Sequence, residues 1–366
     1  MHVNRITEIF IFFIGFNLGI YLYFNFLPLH KKFKAVQNHP IKNFPTFEVK
    51  YEAKYDTKLA DELVKNVRIF CWILTHPKNH KTKIPHMKAT WARRCDKLVI
   101  FSTETDKDDP DIVALSNLNG REHLWNKTKY AMKYVYENHI NDADWFVRAD
   151  DDNYFIVENL RHKLSQYNPK MSVFIGCRYA VPYNTVDEGY MAGGGHAFSK
   201  KALTKFVTKL MPSGKNCIVK DAMFEDVNLG MCFKTHAVFV DALDEKNQKQ
   251  MFPLGIDAHA DKNVNTDFWY WHYIWSHVPQ GNLDCCSDLF ISAHYVGPKE
   301  QHLLEYLVYH VHPFGIVKNQ TEKLPEKLKM GEVMKKADEK SISPQYVAHE
   351  IVHNFDDDEK DILLNE

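Results

Sequence analysis

Three consecutive carboxylates, Asp150, Asp151 and Asp152, directly follow the run Trp145-Phe-Val-Arg-Ala149. Adjacent carboxylates repel one another, and a divalent cation between them relieves that cost. The run reads as a strand, and open α/β sheets bind ligands at the C-terminal ends of their strands. The triplet is therefore a candidate metal site. Asp356-Asp357-Asp358 is the same triplet with no strand before it, and reads as a solvated charge run. Glu225 and Asp226 form a second acidic pair. A carboxylate can act as a general base, or it can simply suit the first turn of a helix. Chemistry alone does not rank the two neighbours. His294 reads either as a buried core histidine or as a metal ligand. Phe268–Trp275 holds six aromatic residues in eight, which suits a core strand or a wall for the apolar face of a sugar. Gly193-Gly194-Gly195 allow close backbone approach to a ligand, or form a flexible loop.

Elements that could position these groups alternate along the chain. Residues 69–74 (IFCWIL) are a short apolar run of strand length, and 97–103 (KLVIFST) a second. A helix is expected through MKATWARRC. Leu124, Thr128, Met132, Val135 and Tyr136 recur at helical spacing within 121–139. Asn159–Leu164 reads as helix and Ser172–Tyr179 as strand, and Ser199 can cap a helix through Leu203, Phe206, Val207 and Leu210. Strand–helix alternation predicts an α/β domain with a mainly parallel, Rossmann-like sheet. No G-x-G-x-x-G follows the first strand, so a dinucleotide fingerprint is absent.

The chain has 366 residues, 45 % hydrophobic and 25 % charged, enough for a sizeable core. A formal net charge of -1 argues against a nucleic-acid partner held by bulk charge. Ile9–Leu29 carries no charged residue, and about 20 apolar residues span a bilayer. A single transmembrane signal anchor over 9–29 is expected, with 1–8 as a cytoplasmic tail. The run exceeds the length of a cleaved signal core, and no small-residue cleavage site follows it. Lys31, Lys32 and Lys34 would put the bulk of the chain in the cytosol by the positive-inside rule. Seven cysteines and the sequons at Asn126 and Asn319 point to the lumen instead. Residues 30–66 read as a stem, and 317–366 as a charged, flexible tail.

The motifs ADWFVRADDDNY (143–154), GYMAGGGHAFSKKAL (189–203), FEDVNLGMC (224–232), FWYWHY (268–273), CCSDLFISAHYV (285–296) and LEYLVYH (304–310) follow WILTHPKNH and MKATWARRCDK. In this order and spacing they resemble the core 1 β1,3-galactosyltransferases of glycosyltransferase family 31, over roughly 67–316. The resemblance implies a luminal GT-A catalytic domain behind a type II anchor in the Golgi membrane. It implies transfer of galactose, with inversion, from UDP-galactose to the 3-hydroxyl of GalNAc α-linked to Ser or Thr of glycoproteins, with Mn²⁺ as cofactor. A homodimer is one assembly it allows. Other readings are a family 31 β1,3-glycosyltransferase with another donor or acceptor, a chaperone-like relative without catalysis, and a membrane-anchored lectin-like binder.

Carried over by position, Asp150 and Asp152 with His294 would hold the metal, Asp150 lying nearer the ribose or binding through water. A mixed carboxylate and imidazole set suits Mn²⁺. Asp226 matches the catalytic base, with Glu225 as its rival. Thr75, His76, Lys88 and Asp151 would meet the donor, within a wider basic set of Lys83, Arg93, Arg94, Arg121 and Lys127. Trp269 and Trp271, with Gly193 and Gly194, would meet the acceptor. Relatives carry Gly-Gly-Ala-Gly-Tyr near this point, so Gly195 and His196 are departures, as is His272. The expected disulfides are Cys71–Cys95 and Cys217–Cys232. Cys285 and Cys286, as chain neighbours, are expected to find separate partners, with Cys177 a candidate.

Overall fold

The run IFCWIL has no polar alternation because both of its faces are buried. In the computed structural model it forms β1 (Ile69–Leu74), with Ile69, Cys71 and Ile73 in one hydrophobic cluster and Phe70 and Trp72 in the other. Successive strand residues face opposite ways, so such a strand needs cover on both sides. Residues 57–115, 119–180, 189–215, 217–260, 269–276, 283–311, 324–338 and 356–365 are described, all within the unit Tyr51–Glu366.

Helix α1 (Lys58–Asn66) precedes β1. There follow α2 (Ile84–Ala89), β2 (Lys97–Ser102), β3 (Ile112–Ala114), α3 (Leu124–His139), β4 (Trp145–Asp150), β5 (Tyr154–Phe155) and α4 (Val157–Ser165). Next come β6 (Val173–Tyr179), β7 (Tyr190–Ser199), α5 (Lys200–Lys205), α6 (Glu225–Phe233), β8 (Val238–Asp241) and β9 (Met251–Phe252). The last are α7 (Trp269–Tyr273), β10 (Ser292–Ala293), α8 (Pro298–Tyr309), α9 (Met330–Asp338) and α10 (Asp357–Asn365). The main sheet runs β3-β2-β1-β4-β7-β6-β8, and β5, β10 and β9 form a small second sheet. Every pairing in the main sheet is parallel except the two made by β7. The expected mixed α/β architecture with a mainly parallel sheet is present. Ser199 caps α5 as expected, its hydroxyl accepting from Ala202 N at 3.1 Å. Chain order reverses between β1 and β4, and a crevice at such a switch point is where ligands bind.

Four expectations change. The stem does not reach residue 66, because α1 buries Leu63 in the core cluster that α4 also feeds. The Gly193–Gly195 segment is not a loop but part of β7. The C-terminal stretch is not merely charged and free, since Met330, Val333 and Met334 are buried and α10 docks through Glu359. Alternating charge hid these anchors, which are few and spaced within polar sequence. Cys285 and Cys286 are bonded to each other, and Cys177 is free and buried. Cys71–Cys95 and Cys217–Cys232 pair as expected. The apolar segment 9–29 and Asn319 lie outside the described residues. No described helix is long and apolar enough to cross a membrane.

Candidate active site

A cleft of about 700 Å³ lies at the C-terminal ends of β1 and β4. The acidic triplet enters it through a turn that the sequence itself builds. Asn153 is fully buried and its side-chain oxygen accepts from Asp150 N at 2.7 Å, which closes the turn that ends β4. Trp91 Nε1 donates to Asn153 O at 2.9 Å, which pins the same turn from below.

The three acids then part company. Asp150 Oδ2 accepts from Arg148 Nη1 at 2.8 Å. Asp151 is bound on both oxygens, accepting from Thr75 Oγ1, Asn79 Nδ2 and Lys83 Nζ, each at 2.7 Å. Asp152 faces His294, with Oδ1 at 3.1 Å from Nε2, and Asp150 Oδ2 lies 3.8 Å from the same nitrogen. His294 Nδ1 donates to Pro253 O at 3.2 Å. In the neutral ring that bond leaves Nε2 as an acceptor, whereas the protonated ring donates from Nε2 to Asp152. Two acceptors at 3.1 Å need a cation or a proton between them. Asp152 Oδ1 is also buried without a hydrogen bond. Burial lowers the His294 pKa, but Asp152 and Asp150 outweigh it and the net shift is upward. Burial opposes ionisation of Asp152, yet His294 and Lys83 hold its carboxyl below the ordinary range. Among the described residues no three His, Cys, Asp or Glu side chains close into a ready-made cage.

Arg148 joins this cluster to the acidic pair of α6. It is 5 % exposed, and its Nη2 lies 2.5 Å from Glu225 Oε1 while Nη1 holds Asp150. Residues 148 and 150 share one face of β4 by strand alternation. Burial lifts the Glu225 pKa to about 7, against Arg148 and with the help of Asp226 and Asp150. Asp226 is half-buried on the cleft wall and is also raised, mainly by burial. Its Oδ1 accepts from Val227 N at 2.9 Å, and no cation lies within ion-pair distance among the described residues. The two neighbours are thus distinguished: Glu225 is the counter-ion of Arg148, and Asp226 is the carboxylate left to the cleft.

The other expected site residues divide. Thr75, His76, Asp151 and Gly193 line the cleft. Asp151 does so already neutralised, as the anchor of the segment after β1 rather than as a group free to bind. Lys88 is a correction: it pairs with Asp109 at 2.8 Å and Asp111 at 2.6 Å and does not line the cleft. Lys83, five residues earlier and just before α2, lines the cleft instead and pairs with Asp151. Gly194 is buried, with Phe252 O about where a Cβ would press, at 3.2 Å. Gly193 has φ +70°, and a Cβ there would meet Pro253 at 2.1 Å. Gly193 and Gly194 are therefore required by packing against β9 and Pro253, and Gly195, with φ +84°, by packing against Phe155. Trp271 is 8 % exposed and packs edge-on against His259 and Tyr270, in a cluster that backs Tyr179 of the cleft wall. The Trp269 side chain lies outside the described residues. The aromatic rings that do line the cleft are Phe101, Tyr179, Tyr190, Phe224 and Tyr295. Arg148 and Asn79 were missed; a lone arginine two residues before the triplet, inside a buried strand, was the available signal.

A Fringe-like family model matches residues 64–244, and with the relatives that follow it makes the chain a glycosyltransferase. The chain is 37 % identical, over 265 residues, to glycoprotein-N-acetylgalactosamine 3-beta-galactosyltransferase 1 of Xenopus laevis, covering 71 % of each chain. It therefore belongs to the family of that enzyme. It is also similar to the beta-1,3-glucosyltransferases of Mus musculus (33 % over 172 residues) and Homo sapiens (32 % over 177). Those matches cover 46 % and 48 % of this chain but only 34 % of either relative.

Proposed function

We propose that the chain is an inverting GT-A galactosyltransferase, moving galactose from UDP-galactose to the 3-hydroxyl of GalNAc α-linked to Ser or Thr. The observation that carries this reading is the arrangement around Arg148: Asp150, with Asp152 and His294, on one side, and Glu225 beside Asp226 on the other. The mainly parallel sheet, with its cleft at the β1–β4 switch point, supports the GT-A assignment. The name of the Xenopus laevis relative supports the donor and acceptor.

In this reading Asp226 accepts the proton of the acceptor hydroxyl as its oxygen bonds to the anomeric carbon. The bond from that carbon to the UDP oxygen breaks, and UDP departs with the electron pair. Glu225 cannot easily take this role while it is tied to Arg148. Asp150, Asp152 and His294 fit Mn²⁺ by donor type, two carboxylates and one imidazole. When bound, Mn²⁺ offsets charge on the departing UDP. Lys83 and His76 stand at the same end of the cleft, where the diphosphate would lie. The two long-range disulfides agree with a luminal, type II placement behind the 9–29 anchor.

The deciding assay gives the chain Mn²⁺, a GalNAc-peptide, and UDP-galactose or UDP-glucose in parallel. Galactose transfer supports the reading. Preference for glucose would move it toward the glucosyltransferase relatives, and no turnover of either donor would leave a non-catalytic relative. Asp152→Ala and His294→Ala should each weaken UDP–Mn²⁺ binding by calorimetry, by on the order of 10–100-fold, since even outer partners of metal ligands carry that much. Unchanged binding in both variants would remove them from the metal site. Activity should also fall at low pH earlier than for an ordinary carboxylate. Asp226 must be ionised to accept a proton, and its pKa is raised, so kcat/KM drops about tenfold per pH unit below that value. The limb belongs to the coupled Glu225–Asp226 pair. An acid limb at or below about pH 4, the ordinary carboxylate value, would contradict it.

A further inference from the structure

Arg178 and Tyr179 are neighbours on β6 and so face opposite sides of the sheet. Tyr179 lines the active-site cleft, whereas Arg178 lines a second cavity of about 810 Å³ that the proposed reaction does not use. Four buried side-chain atoms on its wall have no hydrogen-bond partner among the described residues: Asp241 Oδ2, Gln250 Oε1, Trp275 Nε1 and Ser276 Oγ. Gln250 is 2 % exposed and Ser276 5 %. The Gln250 amide nitrogen donates to Leu289 O at 3.2 Å, which settles that its oxygen is the unpaired end. Buried polar atoms in native proteins rarely stay unpaired, and each such atom calls for a water or a ligand. The active-site cleft bears the same mark, at Thr103, Arg148, Asp152 and His196.

The chemistry of the wall narrows the ligand. One indole N–H, one hydroxyl and two acceptor oxygens match a molecule with several hydroxyl or amide groups. The Arg178 guanidinium lies over the Trp275 ring, 3.7 Å from its centroid, so that a flat, rigid surface borders the polar atoms. Acidic side chains outnumber lysine and arginine around the cavity, which disfavours phosphate or nucleotide. Aromatic surface with a few convergent polar groups is the usual lining of a small-molecule site, and this set of donors and acceptors suits the hydroxyl and amide groups of a neutral sugar.

We propose that this cavity is a second carbohydrate-binding site, which holds a neutral N-acetylhexosamine of a glycoprotein while the cleft acts on another. The choice of that sugar rests on the proposed function; the site itself does not. The test uses the full chain and methyl N-acetyl-α-galactosaminide, followed by calorimetry and saturation-transfer NMR with the cleft filled by UDP, Mn²⁺ and a GalNAc-peptide. The sugar should still bind. The double variant Asp241→Asn, Ser276→Ala should lose affinity for it at least tenfold, with UDP binding unchanged. Trp275→Phe, which keeps a ring but removes the N–H, serves should the double variant misfold, and should lose affinity in the same direction. Absence of binding in the unmodified chain, or equal binding in the variants, overturns the proposal. Sugar binding without galactose transfer would overturn only the proposed function, and transfer without this binding only the second site.

Discussion

Asp226→Asn should lose galactose transfer by a factor on the order of 10²–10⁴, the usual worth of a positioned base, while UDP–Mn²⁺ binding stays intact. The geometry supports both halves of that expectation. Asp226 lies on the cleft wall with a backbone hydrogen bond and, among the described residues, no cation within ion-pair distance, so its side chain is not among the groups that hold Asp150, Asp152 or His294. Its raised pKa makes it a better proton acceptor than an exposed carboxylate. Glu225→Gln should behave differently. It removes the counter-ion 2.5 Å from a buried arginine, so it should lower stability as well as activity. Steady-state transfer, nucleotide calorimetry and thermal unfolding on the two variants separate them. Near-normal turnover by Asp226→Asn, or a loss of UDP–Mn²⁺ affinity equal to that of Asp152→Ala, would make the assignment of the base wrong.

Much of this was readable in the chain because the relevant physics is local. A strand buried on both faces is mostly apolar, so β1 and β4, the latter interrupted by Arg148, stand out. A carboxylate triplet at the end of such a strand has few other uses. Asp150, Asp152 and His294 do meet, although 142 positions separate Asp152 from His294 in the sequence. What was not readable depended on tertiary partners. Nothing near Lys88 in sequence reveals that Asp109 and Asp111 will hold it, or that Lys83 will turn inward to Asp151. The glycine run suggested a ligand because glycine permits close approach; that Pro253 makes the approach at Gly193 is a fact of packing. Trp271 was chosen for its ring, and the same ring serves as well in a core. Ordinary bridge geometry disfavours a bond between chain neighbours, yet Cys285 and Cys286 form one.

The Asp356–Asp358 region shows the limit of local reading most clearly, and it carries the second large effect. Taken as a solvated run, it should tolerate any change. In the fold it faces a row of lysines spaced four apart, Lys201, Lys205 and Lys209, on α5 and the turn that continues it. Lys201 and Lys209 meet Asp356 and Asp358 near the surface, where each pair is worth little. Lys205 meets Glu359 at 2.6 Å with side-chain exposures of 2 % and 0 %, and Glu359 also accepts from Ser172 N at 2.8 Å, just before β6. Removing one partner of a buried ion pair leaves an uncompensated charge and costs about 3–5 kcal/mol. Glu359→Ala should therefore lower the melting temperature by on the order of 10 °C, as the scaling of midpoint with stability implies. Asp356→Asn should shift it little. Lys205→Met with Glu359→Leu should recover much of the loss, because an apolar pair removes the buried charge altogether. Calorimetric unfolding of the three variants decides the matter: equal melting of Glu359→Ala and the unmodified chain would mean that α10 does not dock in solution, and that the C-terminal segment is the free charged tail its composition suggested.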